Sequence, residues 1–227
     1  MSMLESFAIL TAGALMGLLH AFDADHVMAV STLSQSKRKV ATMIKFAAQW
    51  GCGHGLILLG LAIGLTVFNL HLPAAITQMA ELMVGGVLIV LGLGLIWQIN
   101  KGNLHLKRHQ HGQRFHRHWV TQQSRLEKQI QTSRHDHKPI LVGGLHGMAG
   151  SAPALALIPV AMQGQVVGAI IYMLMFSLGC LLGMTVFGLG FGQLNRMLYK
   201  YSQKAHQWFS QALGLCAATL GLVWILQ

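Results

Sequence analysis

The chain's first apolar segment covers residues 5–33 and reads ESFAILTAGALMGLLHAFDADHVMAVSTL. It is longer than the roughly 20 residues that cross a bilayer as a helix. Glu5 is its only charge before Asp23, so it lacks the basic start of a cleaved signal peptide. Two imidazoles and two carboxylates nevertheless stand at its centre, at His20, Asp23, Asp25 and His26. The segment predicts a membrane helix with a polar site in its middle.

Similar apolar segments recur along the chain, at approximately 46–69, 75–98, 140–162, 165–192 and 206–226. Hydrophobic residues make up 53% of the 227 residues and charged residues only 10%, whereas a soluble domain carries about 25% charged residues. We therefore predict an all-α, polytopic membrane protein with six transmembrane helices.

The basic residues are distributed unevenly between the predicted connections. All 16 Lys and Arg residues lie in three places: after the first segment, within 99–139, and between the last two segments. The other connections contain none. Because cytoplasmic loops are enriched in Lys and Arg, we predict a multi-pass protein of the cell (inner or plasma) membrane with both termini outside the cytoplasm. Membrane lipid is an expected partner. Nucleic acid is not, because a soluble nucleic-acid-binding protein would gather its basic residues on one surface.

The sequence lacks the patterns that are typical of two other functional classes. The cysteines, Cys52, Cys180 and Cys216, lie far apart and form no CxxC pair, so neither a disulfide framework nor a zinc ribbon is indicated. No Gly-x-x-x-x-Gly-Lys-Ser/Thr stretch occurs, so no ATP-binding P-loop is predicted.

The two halves of the chain contain similar short patterns in the same order. Gly17-Leu18-Leu19-His20 resembles Gly143-Gly144-Leu145-His146, Gly51-Cys52 with Gly55 resembles Gly179-Cys180 with Gly183, and Gly85 and Gly92 correspond to Gly214 and Gly221. Three spans per half would invert the second half in the membrane, as in transporters that bind their substrate between the halves. We predict a first three-helix repeat over 1–98, a cytoplasmic His-rich basic loop over 99–139 and a second three-helix repeat over 140–227. Glycines that only allow close helix packing are the alternative.

The carboxylates of the first segment require a source of positive charge. An ionised aspartate at the bilayer centre costs about 2.5–3.5 kcal/mol on insertion scales, and no predicted span contains Lys or Arg. A divalent cation would supply this charge, and Asp oxygen with His nitrogen suits Ni(II), Co(II) or Zn(II). The sequence therefore predicts metal binding by His20, Asp23, Asp25 and His26. A polar cluster that caps the cytoplasmic end of the helix is the alternative.

Helix geometry constrains this set. On a regular helix His20, Asp23 and His26 form one drifting stripe, whereas Asp25 points away from it. If His20, Asp25 and His26 contact one ion, the helix must unwind locally, which a membrane tolerates only where the backbone lines a cavity or is buried in protein.

Two histidines in other spans are further candidate ligands. His54 lies among glycines in Gly51-Cys52-Gly53-His54-Gly55, and His146 occupies the repeat position of His20. A helix–helix hydrogen bond is the alternative for His54, and for His146 the ligand and structural interpretations are equally open.

The spacing His20-(four residues)-Asp25-His26 resembles the first motif of the nickel/cobalt transporter (NiCoT) family, and Gly53-His54 resembles its second motif, with Gly55 where Ser is usual. This resemblance covers roughly the first 60 residues. It implies a permease for Ni²⁺ or Co²⁺ in which His20, Asp25 and His26 contact the metal and His54 supports them. The metal would be the transported substrate, with no cofactor and no enzymatic activity.

The chain also departs from that family. NiCoT permeases typically have eight spans and an acidic Asp-Thr-Ala-Thr-Glu motif, which is absent here. The His-Gly-Met-Ala-Gly-Ser stretch beginning at His146 and the six predicted spans are more similar to the urease-accessory, UreH-like branch of the superfamily. We expect metal uptake. A metal exporter and an intramembrane zinc-dependent hydrolase are the alternatives, although no His-Glu-x-x-His motif occurs.

The loop over 99–139 is rich in both histidine and basic residues. Its histidines are His105, His109, His111, His116, His118, His135 and His137. His-rich tracts can gather metal, whereas the neighbouring positive charges oppose this. A metal store and a solvated topological anchor therefore both remain possible interpretations. With no ATP-binding motif, a gradient, the membrane potential or a sink such as a urease or hydrogenase assembly pathway would drive transport. Cytosolic metallochaperones or urease or hydrogenase maturation proteins are therefore expected partners.

Overall fold

The computed structural model describes residues 3–35, 37, 39–68, 74–101, 105–111, 114–120, 138–149 and 166–226. Within these ranges the fold is a bundle of helices. They are α1 (Met3–His20), α2 (Ala24–Ser34), α3 (Val40–Val67), α4 (Ala74–Lys101), α5 (Lys138–Ala149), α6 (Val166–Tyr201) and α7 (Gln203–Leu226). Between α4 and α5, strands β1 (His105–His111) and β2 (Arg114–Val120) pair antiparallel, with His109 opposite His116.

Four of the helices, α3, α4, α6 and α7, are long and apolar enough to cross a membrane. The pair formed by α1 and α2 makes a fifth candidate span, which is bent by 55° at its break. The protein is therefore an all-α, multi-pass membrane protein, as predicted. The count of six stays a prediction, because the apolar helix α5 ends at Ala149 and residues 150–165 lie outside the described ranges.

The break in the first predicted span lies at its polar centre. Helix α1 ends at His20, α2 begins at Ala24, and Asp23 precedes α2 in the N-cap position. Asp is a preferred N-cap residue, but the Asp23 side chain makes no capping hydrogen bond here. The local unwinding that a shared ion would require is therefore present.

Helix α6 extends beyond the predicted span 165–192, as far as Tyr201. Arg196 and Lys200 thus lie on its exposed last turns rather than in a loop, and Ser202 alone separates α6 from α7. The apolar stretch of the sequence ends at the charged residues. The helix continues past them because its backbone hydrogen bonds are internal and long basic side chains can reach water.

Helix α3 occupies the centre of the bundle, with extensive contacts to α6 on one side and to α5 on the other. Two glycines make related close approaches here. A Cβ on Gly17 in α1 would overlap the carbonyl of Phe176 in α6, and a Cβ on Gly143 in α5 would overlap the carbonyl of Trp50 in α3. These two contacts are equivalent if Trp50 corresponds to Phe176, whereas the predicted match of Gly51 with Gly179 would place Trp50 opposite Leu178, two residues further along.

Helices α4 and α7 contact each other through two glycine pairs. Gly85 lies against Gly221 and Gly92 lies against Gly214, so that each Cβ would meet the other glycine's carbonyl oxygen. The two helices therefore run antiparallel. In the predicted repeat, Gly85 corresponds to Gly214 and Gly92 corresponds to Gly221. Replacing each glycine by its repeat partner therefore turns the Gly85–Gly221 contact into the Gly214–Gly92 contact. The 3+3 inverted repeat stays a prediction that agrees with these contacts.

Candidate metal centre

The predicted ligands meet where the break between α1 and α2 faces α3 and α5. The His26, His54 and His146 side chains are fully buried, and Asp25 is 4% exposed. Asp23, by contrast, has 55% of its side chain exposed. The structure thus separates two aspartates that stand two residues apart in the sequence, and only Asp25 is an interior carboxylate.

His20 connects the break to α3. Its Nδ1 lies 2.8 Å from Oδ2 of Asp23, and its Nε2 lies 3.3 Å from Nε2 of His54. Because an ionised carboxylate only accepts hydrogen bonds, Nδ1 of His20 donates to Asp23. In the neutral tautomer this leaves Nε2 of His20 as the nitrogen that faces His54.

His26 folds back over the break. Its Nδ1–H donates to the carbonyl oxygen of His20 over 2.8 Å. A neutral His26 therefore has no proton on Nε2. That nitrogen is buried, has no hydrogen-bond partner in the described ranges, and lies 3.8 Å from Oδ2 of Asp25. A lone pair and a carboxylate consequently face each other in the interior.

His146 shows the same pattern from the other half of the chain. Its Nδ1–H donates to the carbonyl oxygen of Val142 over 3.0 Å, and its buried Nε2 has no hydrogen-bond partner among the residues described. Its ring centre lies 6.1 Å from that of His26. His146, which the predicted repeat matches with His20, thus lies next to His26.

Two sets of side chains have ligand atoms close enough to hold one ion. In each set the atoms lie within 4.8 Å of one another, and the sets are His20, His26 and His54, and Asp23, Asp25 and His26. His26 belongs to both, so the sets form one continuous group. His146 lies beside this group and is in neither set.

Aromatic rings enclose the histidines. The Trp50 ring is stacked on His54 at 5.2 Å between ring centres, and its edge contacts are with His26 at 4.9 Å and His146 at 5.4 Å. Phe176 lies 5.1 Å from His20. Trp50 was not among the predicted site residues, although its position four residues before His54 places both on one face of α3.

The three cysteines are free. Cys180 is buried, whereas Cys52 and Cys216 are exposed. The structure therefore contains no disulfide between these three residues.

These features define a class: a multi-pass membrane protein with a buried His/Asp cluster at a broken helix. Residues 8–223 match the family described as "Cytochrome C biogenesis protein transmembrane region". The chain therefore belongs to this family. The matching family is not the nickel/cobalt transporter family, so the NiCoT resemblance is not shown at the level of a family match.

One relative is similar over nearly its whole length. It is the "Urease accessory protein UreH" of Bacillus sp. (strain TB-90), 27% identical over 228 residues, which covers 98% of this chain and 92% of the relative. This similarity agrees with the predicted UreH-like branch. No solved structure gives a significant match.

Proposed function

We propose that this protein is a permease that carries a divalent transition metal, Ni²⁺ or Co²⁺, through the cell membrane. His20, Asp23, Asp25, His26, His54 and His146 form the proposed path of the ion, which is the substrate rather than a resident cofactor. Uptake is the proposed direction. The full-length similarity to a urease accessory protein supports a function in metal supply rather than in catalysis.

The observation that carries the proposal is the contact between His26 and Asp25. Nε2 of His26 lies 3.8 Å from the Asp25 carboxylate, yet the hydrogen bond from Nδ1 to the His20 carbonyl uses the proton of a neutral imidazole. Two electron-rich groups therefore face each other where desolvation is costly. A dication bound between them would neutralise the carboxylate and accept the lone pair.

The burial of imidazole nitrogens in His54 and His146 also supports a bound metal ion. Nδ1 of His54 and Nε2 of His146 are buried without hydrogen-bond partners within the described part of the chain. A buried polar atom normally has a partner, and these nitrogens belong to imidazoles that pack around His26, at 4.7 Å and 6.1 Å between ring centres. Imidazole nitrogens and carboxylate oxygens suit nickel and cobalt better than magnesium or calcium.

The position of the site suits alternating access. The ligands come from α1, α2, α3 and α5, which belong to both predicted repeats, and discontinuous helices near the interface of such repeats are typical of transporter sites. In the sequence, Asp23 and Asp25 stand between His20 and the basic residues that follow α2, which the predicted topology assigns to the cytoplasmic side. Cytosolic metallochaperones or urease or hydrogenase maturation proteins are the proposed recipients.

The test is transport by the purified protein in liposomes. We expect radioactive nickel to exchange across the membrane by counterflow with wild type, and His26→Ala and Asp25→Asn to reduce this exchange at least tenfold. Thr219→Ala, on the exposed surface of α7, is the matched control. Wild-type liposomes that exchange no nickel or cobalt would contradict the proposal, whereas turnover of a lipid or peptide would favour the zinc-dependent hydrolase.

The direction of transport needs a separate experiment. A deletion strain that starves for nickel or cobalt agrees with uptake. Sensitivity of that strain to excess metal would instead identify an exporter with the same site.

A further inference from the structure

A second group of histidines lies in the hairpin formed by β1 and β2. The hairpin follows α4 and precedes α5, within the loop that the distribution of basic residues predicts to be cytoplasmic. Five histidines belong to its two strands: His105, His109, His111, His116 and His118. The proposed path of the ion through the membrane uses none of them.

The register of the hairpin determines which of its residues share a face. Successive residues of a strand alternate between the two faces, and residues directly opposite each other in an antiparallel pair share one face. His109 is opposite His116. Steps of two residues along each strand from this pair reach His105, His111 and His118. All five strand histidines therefore lie on one face, which we call the histidine face.

The other face of the hairpin has a different composition. Its residues are Leu106, Arg108 and Gln110 of β1 and Phe115, Arg117 and Trp119 of β2. Within these two strands it contains no histidine, whereas Val120 is the single apolar residue on the histidine face. Histidine and apolar residues are thus mixed along the sequence of the loop, and the strand pairing separates them.

Two histidines at directly opposite positions are close enough to share one ion. The Cβ atoms of such a pair lie about 4.5–5.5 Å apart, and an imidazole nitrogen binds a divalent metal such as zinc at about 2.0–2.1 Å. His111 is the next residue on the same face beyond His109, and His118 is the next beyond His116. The register therefore places four histidines at adjoining positions of one face.

We propose that the histidine face is a second site for the transported metal, centred on the opposite positions of His109 and His116, with His111 and His118 beside them. Imidazole suits Ni²⁺ and Co²⁺. The site receives the ion on the cytoplasmic side after the central cluster releases it. The inference rests on the proposed function because it concerns the same ion.

The charges of the hairpin make this site weaker than the central cluster. Lys107 and Arg114 share the histidine face, so they repel a cation, and neither strand contains a carboxylate. Repulsion between charges in solvent is screened over about 8 Å at physiological ionic strength, so it lowers the affinity without abolishing it. Weak binding suits a site that passes its ion on.

Binding by composition alone is the competing explanation, since any His-rich tract can gather metal. Exchanging residues within β1 separates the two explanations. His109→Gln with Gln110→His keeps the composition and the net charge, but it moves one histidine to the other face and leaves His116 without an opposite histidine. Lys107→His with His109→Lys also keeps the composition, and it retains five histidines on the histidine face with a new opposite pair at positions 107 and 118.

The experiment is a Ni²⁺ titration of the purified full-length protein in detergent, with His26→Ala in every sample to remove the central site. We expect this background to bind one ion. The exchange at positions 109 and 110 should weaken the binding at least tenfold, whereas the exchange at positions 107 and 109 should change it less than threefold. His135→Gln with His137→Gln removes two loop histidines outside the strands, and it should also change the affinity less than threefold.

Several results would overturn the inference. They are a background that binds no Ni²⁺, an unchanged affinity after the exchange at positions 109 and 110, and equal losses from the two exchanges. Melting curves without metal establish that each variant is folded. Should His26→Ala fail to fold, the exchanges are compared in the wild-type background: loss of one bound ion after the exchange at 109 and 110 supports the site, and an unchanged number overturns it.

Failure of the proposed function gives a different result. Wild-type liposomes that exchange no nickel or cobalt would remove the permease, and with it the source of the ion, whatever the titration shows. An affinity that depends on the face of the hairpin would still establish the metal site in that case. Normal counterflow with an affinity that ignores the exchanges would instead leave the permease and remove the second site.

Discussion

Gly53 of α3 lies directly against the backbone of Ile140 in α5, so closely that a Cβ on the glycine would overlap the Ile140 carbonyl oxygen. This contact adjoins His54 on one helix and lies less than two turns before His146 on the other. The approach of the two backbones therefore fixes how closely histidines from the two halves of the chain can meet.

Gly53→Ala should destabilise the protein and disturb metal binding. Overpacking costs about 1–3 kcal/mol, and here the neighbour is backbone, which cannot rotate away. Gly60→Ala is the matched control on the same helix, because a Cβ there would meet nothing within 4 Å. We expect a lower melting temperature in detergent for Gly53→Ala and an unchanged or slightly raised one for Gly60→Ala. Equal melting temperatures would show that α3 and α5 are not in close contact.

The two aspartates should differ in their effect on metal affinity. Asp25→Asn removes the buried charge that we propose neutralises the ion, so we expect the affinity for Ni²⁺ or Co²⁺ to fall more than 100-fold. Asp23 orients His20 and is largely exposed, so Asp23→Asn should cost about tenfold, the lower end of the range for groups that orient a ligand. Isothermal titration of both variants measures the difference. A greater loss for Asp23→Asn would reverse these roles.

His146→Ala tests whether the second half of the chain supplies a ligand. We expect at least a tenfold loss of Co²⁺ affinity together with a change in the visible absorption of bound Co²⁺, because that spectrum reports the ligand set. The change His146→Asn keeps a polar side chain at the position and serves as the comparison. An unaltered spectrum in both variants would assign His146 a purely structural role.

Metal binding should weaken as the solution becomes more acidic. Only the neutral imidazole can coordinate a metal, so protons compete with the ion, and burial favours the neutral form of His26, His54 and His146. We expect Ni²⁺ affinity to change little between pH 8 and pH 6 and to fall at least tenfold as the solution is acidified further to pH 4. An affinity that does not change over this range would argue against imidazole ligands.

Much of the central site could be predicted from the sequence, because its parts are local. His20, Asp23, Asp25 and His26 stand within seven residues of an apolar segment, and helix geometry alone required a break if several of them shared an ion. The structure has that break at Ala21–Asp23. The separation of buried Asp25 from exposed Asp23 was not predictable, since it depends on how the bent α1 and α2 pair packs.

The hydrogen bonds that join the end of α2 to α6 and α7 could not be predicted, because the residues that form them are distant in the chain. The side chains of Gln35 and Ser210 are hydrogen-bonded across 175 residues of sequence, and neither residue lies in a recognisable motif. The length of α6 was also underestimated, since hydropathy marks the apolar core of a helix rather than its end. Contacts between helices determine both features.

The central position of α3 has a consequence for how the protein is made. Helices α5 and α6, which flank α3, leave the ribosome after the long basic loop, so the aspartates and His54 enter the membrane well before the packing that encloses them exists. A nascent chain that stops within the loop would present an unfinished pocket to lipid and to the insertion machinery. Completion of the second half is therefore the step that shields His26 and His54 from the surroundings of the newly synthesised protein.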